Sequence, residues 1–352
     1  MDSLHVAKIE TMESNTDLDK RPSATDSCAI HAVPIIDVGE LASEIHRDLA
    51  SVREIADACR EWGFFQIINH GVPKDVVEHV WEQTQAFFAL PVAQKEKVLR
   101  TQENPWGYYN NELTKNQRDK KEVFDYTING VDAVYHAENR WPDFDRRFRP
   151  TLETYRDACA ALSFRLLEAM SAGLGLDPQF LNQLFDPEHT GFIRLNYFPV
   201  DDPMEGRNDV AHLDVADLGI HHHTDAGALT VLLQDSVGGL QVFNNGLWHD
   251  VPPIEGALVV NTGDMMQVWS NDHYRAAIHR VLAMESTDRY SIPFFFNPSA
   301  DASIRPLPSV VSADRPARYR PVEWLDFRSR RTDGDYADYG PEVQIAQFRI
   351  NE

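Results

Sequence analysis

His223, Asp225 and His279 are residue types that bind transition metals, and their spacing lets them converge. In an extended strand residues two apart share a face, so His223-Thr224-Asp225 can turn an imidazole and a carboxylate toward one point. His279 lies in the apolar run Ala276-Ala277-Ile278-His279-Arg280-Val281, which has the composition of a second strand. Two histidines and a carboxylate on one face leave half of an octahedral iron(II) open for substrates and oxygen. Further on, Arg289-Tyr290-Ser291 sets a guanidinium and a hydroxyl on one strand face by the same period of two.

A bland alternative stands beside this one. The chain has 14 histidines, so an H-x-D triplet also arises by chance. His223 is then one member of a solvated His221-His222-His223 run, and His279 a hydrogen-bonded core histidine. The order of the motifs favours the metal. H-x-D is followed by Gly238-Gly239-Leu240-Gln241-Val242, Asn261-Thr262-Gly263-Asp264, His279-Arg280-Val281 and R-x-S.

The elements that must position these residues follow from periodicity. Val33–Asp37 and Phe64–Ile68 read as short buried strands, the second closed by the turn residues Asn69, Gly71 and Pro73. His70, in that turn without a carboxylate nearby in sequence, is expected to hydrogen-bond structurally. Three helices are predicted: residues 42–62, with Leu49, Val52, Ile55, Ala56 and Cys59 on one face, then Lys74–Ala89 and Thr151–Leu174. Residues 100–145, rich in polar and aromatic side chains, read as extended and loop structure over the mouth of the core. From Gly191 the pattern becomes strands broken about every eight to twelve residues, the spacing of a β-sandwich or jelly roll. A Pro-rich loop, Pro298–Pro321, precedes a basic cluster at Arg328–Arg331, expected to be a solvated patch. The division expected is a disordered tail over 1–32, an amino-terminal region over 33–150, a helix plus β core over 151–330, and a carboxyl-terminal segment over 331–352.

Composition narrows the partners. The 33 Lys and Arg against 55 Asp and Glu give a formal charge of −22, which disfavours nucleic acid and anionic membrane. No apolar run approaches the length of a membrane span, and residues 1–5 lack the pattern of a secretory leader. Three widely spaced cysteines, Cys28, Cys59 and Cys159, fit a reducing compartment, so a cytoplasmic location is expected.

From Leu218 to Pro298 the chain resembles the iron(II)/2-oxoglutarate-dependent dioxygenases of the isopenicillin N synthase-like family. The residues that carry the resemblance are Leu218-Gly219-Ile220, His223-Thr224-Asp225, Gly227-Ala228-Leu229-Thr230 and Arg289-Tyr290-Ser291-Ile292-Pro293-Phe294-Phe295. An amino-terminal block resembles the family's other signature, through Val33-Pro34-Ile35-Ile36-Asp37, Trp62-Gly63-Phe64-Phe65-Gln66-Ile67 and Asn69-His70-Gly71-Val72-Pro73. Together they span roughly residues 33 to 330.

The resemblance implies an α+β fold: a double-stranded β-helix (jelly-roll) core with an amino-terminal helical region packed against it. It implies iron(II) on His223, Asp225 and His279, with 2-oxoglutarate and dioxygen as co-substrates and ascorbate as a stimulant. Arg289 and Ser291 match the positions that hold the remote carboxylate of 2-oxoglutarate, and Asn196 a position that approaches the keto acid. Where several members carry a tyrosine near the keto acid this chain has Phe198, and Tyr197 is the candidate substitute. The implied reaction oxidises a small organic molecule, by hydroxylation, desaturation or ring closure, with release of succinate and carbon dioxide. Tyr108, Tyr109 and Phe124 on the covering segment, with Phe198 and Phe296, are the candidate substrate contacts. They point to a fairly apolar specialised metabolite. Two alternatives remain at this stage: an iron oxidase of the same fold that does not use 2-oxoglutarate, and a non-catalytic binding protein. Monomer and weak dimer are both open.

Overall fold

The computed structural model describes residues 32–350 except 102, 115–116, 131, 133–134, 186–187, 202–217 and 337–342. The expected tail, residues 1–32, lies outside the described residues but for its last position. The amino-terminal part runs β1 (Ile35–Asp37), α1 (Ala50–Glu61), β2 (Phe64–Ile68), α2 (Lys74–Phe88), α3 (Val92–Lys95), β3 (Gly107–Tyr109), β4 (Leu113–Thr114), β5 (Gln117–Arg118) and β6 (Glu122–Thr127). The long α4 (Phe148–Gly173) leads into β7 (Phe192–Phe198), β8 (Leu218–His223), β9 (Leu229–Gln234), β10 (Leu240–Asn244), β11 (Leu247–Asp250) and β12 (Leu258–Thr262). Then come α5 (Asp264–Trp269), β13 (His279–Leu282), β14 (Arg289–Phe296), β15 (Ser303–Ile304), β16 (Val322–Glu323) and α6 (Trp324–Tyr336).

Two sheets form the jelly roll. The larger has the order β1-β2-β12-β9-β14-β7-β6-β3 and the smaller β11-β10-β13-β8. All neighbours in them are antiparallel except β1 and β2. Strand alternation divides the larger sheet into two faces. On β2, Phe65 and Ile67 join the core under the helices, while Phe64 points between the sheets. On β9, Leu229, Val231 and Leu233 face the helices and Leu232 faces inward. Ile292, Phe294 and Phe296 of β14 follow the helix-facing rule. One face therefore packs on α1 and α4, and the other is left to line a cavity.

The helices obey their apolar spacing. Val52, Ile55, Ala56 and Cys59 form the buried stripe of α1, and α4 packs against both α1 and α2. Helix α1 starts at Ala50 rather than near residue 42; Gly39–Ala42 forms a short 3-10 turn instead. Leu41 and Ile45 are still buried against the core, but from this turn and the irregular chain after it rather than from α1. His70 takes the structural role expected of it: its Nδ1 accepts from the Val72 N–H and its Nε2 lies 3.1 Å from the Gly256 carbonyl.

Two other expectations need correction. The 100–145 segment does not simply lie over the core, because β3 and β6 extend the larger sheet beyond β7. The basic cluster is not a solvated patch. Arg328 and Arg331 are buried on α6, a helix that spans the expected boundary at residue 330, and only Arg330 reaches outward to Asp326.

Candidate functional site

His223 ends β8 and pairs directly across the ladder with His279, the first residue of β13. Their rings are 4.3 Å apart. Asp225, in the turn after β8, brings its Oδ1 to 3.6 Å from His223 Nε2 and 3.7 Å from His279 Nε2. The three ligand atoms lie within 4.8 Å of one another. Each imidazole is oriented from behind: His223 Nδ1 lies 2.8 Å from the His221 carbonyl and His279 Nδ1 3.0 Å from the Ala277 carbonyl. A ring that donates through Nδ1 keeps a lone pair on Nε2, which is the state a metal needs.

Asp225 is fixed in the same way. Its Oδ2 accepts from Asn261 Nδ2 at 2.7 Å and Thr230 Oγ1 at 2.5 Å, leaving Oδ1 to face the histidines. Burial opposes its charge, but His279, His223 and these hydrogen bonds prevail and keep the carboxyl below its usual range. Burial, reinforced by His279, pushes His223 down to about 3, so the ring is neutral near pH 7 and needs no deprotonation to act as a ligand. The turn is also tight. A Cβ on Gly263 would meet the Gly227 carbonyl oxygen at 2.3 Å and the Asp225 carbonyl oxygen at 2.8 Å, so only glycine fits at that position of N-T-G-D.

Asn261→Ala tests this support. Removing one partner of a metal-ligating carboxylate should weaken iron(II) binding about tenfold, measured by anaerobic titration. Unchanged affinity would mean that Thr230 alone orients Asp225.

The triad opens into a cavity of about 230 Å³ between the sheets. Arg289 and Ser291 of β14 and Asn196 of β7 lie on its wall. Arg289 Nη1 donates to Ser291 Oγ at 3.2 Å, and Asn196, opposite Ser291 in the ladder, donates to the same oxygen at 3.3 Å. Arg289 is 1% exposed. Its Nε and the Asn196 Oδ1 have no hydrogen-bond partner. Burial pushes the guanidinium down to about 10, against a partial rise from Asp235, so it remains charged at neutral pH. Among the described residues no carboxylate forms an ion pair with it. A buried cation in that state calls for an anion.

Strand parity separates the sequence candidates that reach the cavity wall from those that do not. Tyr197 follows Asn196 directly and so faces the opposite way: its hydroxyl donates to Asp288 Oδ2 at 2.7 Å and its ring stacks on Tyr290. Tyr108 and Phe124, a cross-strand pair, pack beneath the helices on Phe87. Phe296 stacks on Phe185 at 4.4 Å, away from the cavity, whereas Phe295 lines it. Phe198 has cavity parity but lies against the Arg289 guanidinium, 5.0 Å from its ring centre. Tyr109 is covered by the Arg100 guanidinium. None of these six lines the cavity. Phe296→Ala should cost about 3–5 kcal/mol of stability, and Phe295→Ala, half-buried at the cavity, clearly less. Denaturant unfolding of the pair measures the difference.

Several wall residues escaped sequence reasoning. Phe192 and Arg194 precede Asn196 in steps of two, so period alone could have found them. Arg194 belongs to a compact ion cluster. It binds Glu112 through both Nη atoms at 2.8 Å and Asp125 at 2.7 Å. Arg100 touches the same two carboxylates, and Lys121 joins Glu112 to Asp119. Three cations thus meet three carboxylates, and this wall is polar without being strongly charged. Trp324, Arg328 and Arg331 complete the lining from α6.

Comparison with known proteins gives the geometry its family. Residues 189–298 match the 2OG-Fe(II) oxygenase superfamily, and residues 33–144 match the amino-terminal domain described as non-haem dioxygenase in morphine synthesis. The chain belongs to the 2OG-Fe(II) oxygenase superfamily. It is 34% identical to Jasmonate-induced oxygenase 2 of Arabidopsis thaliana over 88% of this chain and 81% of that one. To Feruloyl CoA ortho-hydroxylase 1 of the same plant it is 36% identical, over 84% and 78%. A crystal structure of JOX2 in complex with 2OG, Fe and JA superposes with a TM-score of 0.73, at 31% identity and 90% coverage of both chains.

This member of the superfamily is therefore a 2-oxoglutarate-dependent iron(II) dioxygenase, with His223, Asp225 and His279 as its metal triad. The binding-protein and 2-oxoglutarate-independent alternatives give way to it. No helix among the described residues is long and apolar enough to cross a membrane.

Proposed function

We propose that this dioxygenase oxidises an apolar small organic molecule of specialised metabolism, with Arg289, Ser291 and Asn196 holding 2-oxoglutarate beside the triad. The observation that carries the co-substrate placement is Arg289: a buried guanidinium on the triad's cavity with an unused Nε and no carboxylate partner among the described residues. A planar fork suits a carboxylate, and the Ser291 hydroxyl adds a further donor. The three protein ligands leave room for the 1-carboxylate and keto oxygen of the same molecule.

When bound, iron and 2-oxoglutarate supply the oxidising power. In the hydroxylation case one atom of dioxygen enters succinate and the other the product, with loss of carbon dioxide. The chain's own residues do the rest. Phe64, Ile220, Leu240 and Val281, on strands around the triad, exclude water and offer an apolar bed for the target carbon. Phe192 and Phe295, stacked at 4.5 Å, and Trp324 extend that bed along the larger sheet and α6. The structural neighbour crystallised with JA and the relative named for feruloyl CoA are consistent with a small organic substrate.

The test is substrate-stimulated succinate release. Candidate metabolites are incubated with enzyme, iron(II) and 2-oxoglutarate, and product is matched to succinate one for one. Apolar molecules should stimulate release, and gain of an oxygen atom distinguishes hydroxylation from desaturation or ring closure. Stimulation by sugars or free amino acids alone would overturn the substrate reading and leave the dioxygenase intact.

A further inference from the structure

The peptide between the two metal ligands of H-x-D has an unusual partner. Strand β8 ends at His223 and β9 begins at Leu229, so Thr224 sits in a turn without ladder hydrogen bonds of its own. Its side-chain neighbours are well held: His223 by the His221 carbonyl, Asp225 by Asn261 and Thr230. The backbone after them is tied as well, through Asp264 N–H to the Asp225 carbonyl and Met265 N–H to that of Gly227. The Thr224 carbonyl accepts from Arg331 Nη2 at 2.8 Å, and Arg331 Nη1 donates to the Val343 carbonyl at 3.0 Å. One guanidinium fork thus joins the metal turn to the chain beyond α6.

Arg331 stands on a helix that is itself firmly docked. Trp324, Arg328 and Arg331 are spaced i, i+4, i+7, so they form one stripe of α6 facing the cavity. Trp324 Nε1 donates to Thr190 Oγ1 at 2.6 Å, and Arg328 pairs with Asp132 at 3.0 Å. The third position of the stripe is the one that touches the metal turn. The Thr224 carbonyl lies in the peptide plane that joins Thr224 to Asp225, so holding it fixes the backbone that enters the ligand Asp225, one residue after the ligand His223.

We propose that Arg331 is a positioning residue for the iron site: its charge-assisted bond to the Thr224 carbonyl fixes the Thr224–Asp225 peptide beside the ligand carboxylate and couples metal affinity to the docking of α6. The role rests on the iron-binding reading of the triad. It reaches the metal through backbone rather than through a ligand side chain, and it needs the guanidinium fork because two carbonyls are held at once.

The experiment is a titration of the metal-free full-length protein with Co(II) alone, followed by visible absorption, beside thermal unfolding of each variant. Arg331→Met should raise the Co(II) dissociation constant about tenfold, as loss of a group supporting metal ligands commonly does. Arg331→Lys should recover part of that loss, since one donor remains. Arg328→Met removes a buried ion pair from the same helix face, so it should destabilise the fold as much or more while shifting Co(II) affinity by less than about twofold. Arg331→Met binding Co(II) like wild type would overturn the proposal, and so would Arg328→Met weakening it equally. If Arg331→Met does not fold, Arg331→Lys and Arg331→Gln decide: wild-type affinity in both overturns it, and weakened affinity in both supports it. Failure of wild type to bind Co(II) more tightly than His279→Ala would refute the triad instead.

Discussion

His279→Ala and Asp225→Ala should each leave a folded protein that releases no succinate above a blank without enzyme. The two losses differ in their side effects. His279 gives up one ring nitrogen to the site and one to the Ala277 carbonyl, so its removal leaves a single buried acceptor short of a partner. Asp225 is 7% exposed and accepts from both Asn261 and Thr230, so its removal strands two buried donors. Each such group costs about 1–3 kcal/mol, partly offset because a buried carboxylate no longer has to be desolvated. Asp225→Ala should therefore melt earlier than His279→Ala although both are inactive. Anaerobic iron(II) titration and thermal unfolding measure the two effects separately. His221→Ala is the reference: His221 Nδ1 faces Asp119 at 3.2 Å rather than the triad, so iron binding should survive. A loss of iron as deep as that of His223→Ala would place the wrong histidine of the run in the ligand set.

That distinction within the histidine run shows what could be read from the chain and what could not. H-x-D and the distant His279 were legible because strand period and residue type suffice to name a metal face. The partner of His221 was not, since Asp119 lies in a distant segment and only the fold brings them together. Parity is legible in principle. Alternation puts Phe192, Arg194 and Asn196 on one side of β7 and Tyr197 on the other, and puts Phe295, not Phe296, on the cavity side of β14. Aromatic character does not choose between the two sides, since apolar rings serve equally well under helices.

The carboxyl-terminal arginines failed for a different reason. Four residues from Arg328 to Arg331, three of them basic, look solvated in any local window. The stripe becomes visible only from Trp324, one helical turn earlier, because a buried tryptophan fixes which side of α6 faces inward. The buried ion cluster on the opposite wall was equally hidden. Arg100, Glu112, Lys121 and Arg194 come from separate stretches of chain, and no sequence spacing predicts that their charges cancel.

Arg289→Ala should raise the 2-oxoglutarate requirement by some tens to thousands of times while iron remains bound. The guanidinium is buried on the cavity wall, its Nε unused, and among the described residues Ser291 is the side chain that accepts from it. Truncating one partner of a buried charge-assisted pair costs about 2–5 kcal/mol, which converts to that range of affinity. Two variants sort the contributions. Arg289→Lys keeps a cation without the fork and should recover only part of the loss. Ser291→Ala should cost about 1–2 kcal/mol, the value of one hydrogen bond to a charged group. Stability should move the other way: an alanine removes a buried cation whose desolvation opposes folding, so the substrate-free Arg289→Ala protein should melt no earlier than expected for the lost packing on Phe198. Direct binding of 2-oxoglutarate to the iron-loaded protein under anaerobic conditions reads the effect without turnover. An affinity within about twofold of wild type would remove Arg289 from the co-substrate site and leave the triad assignment untouched.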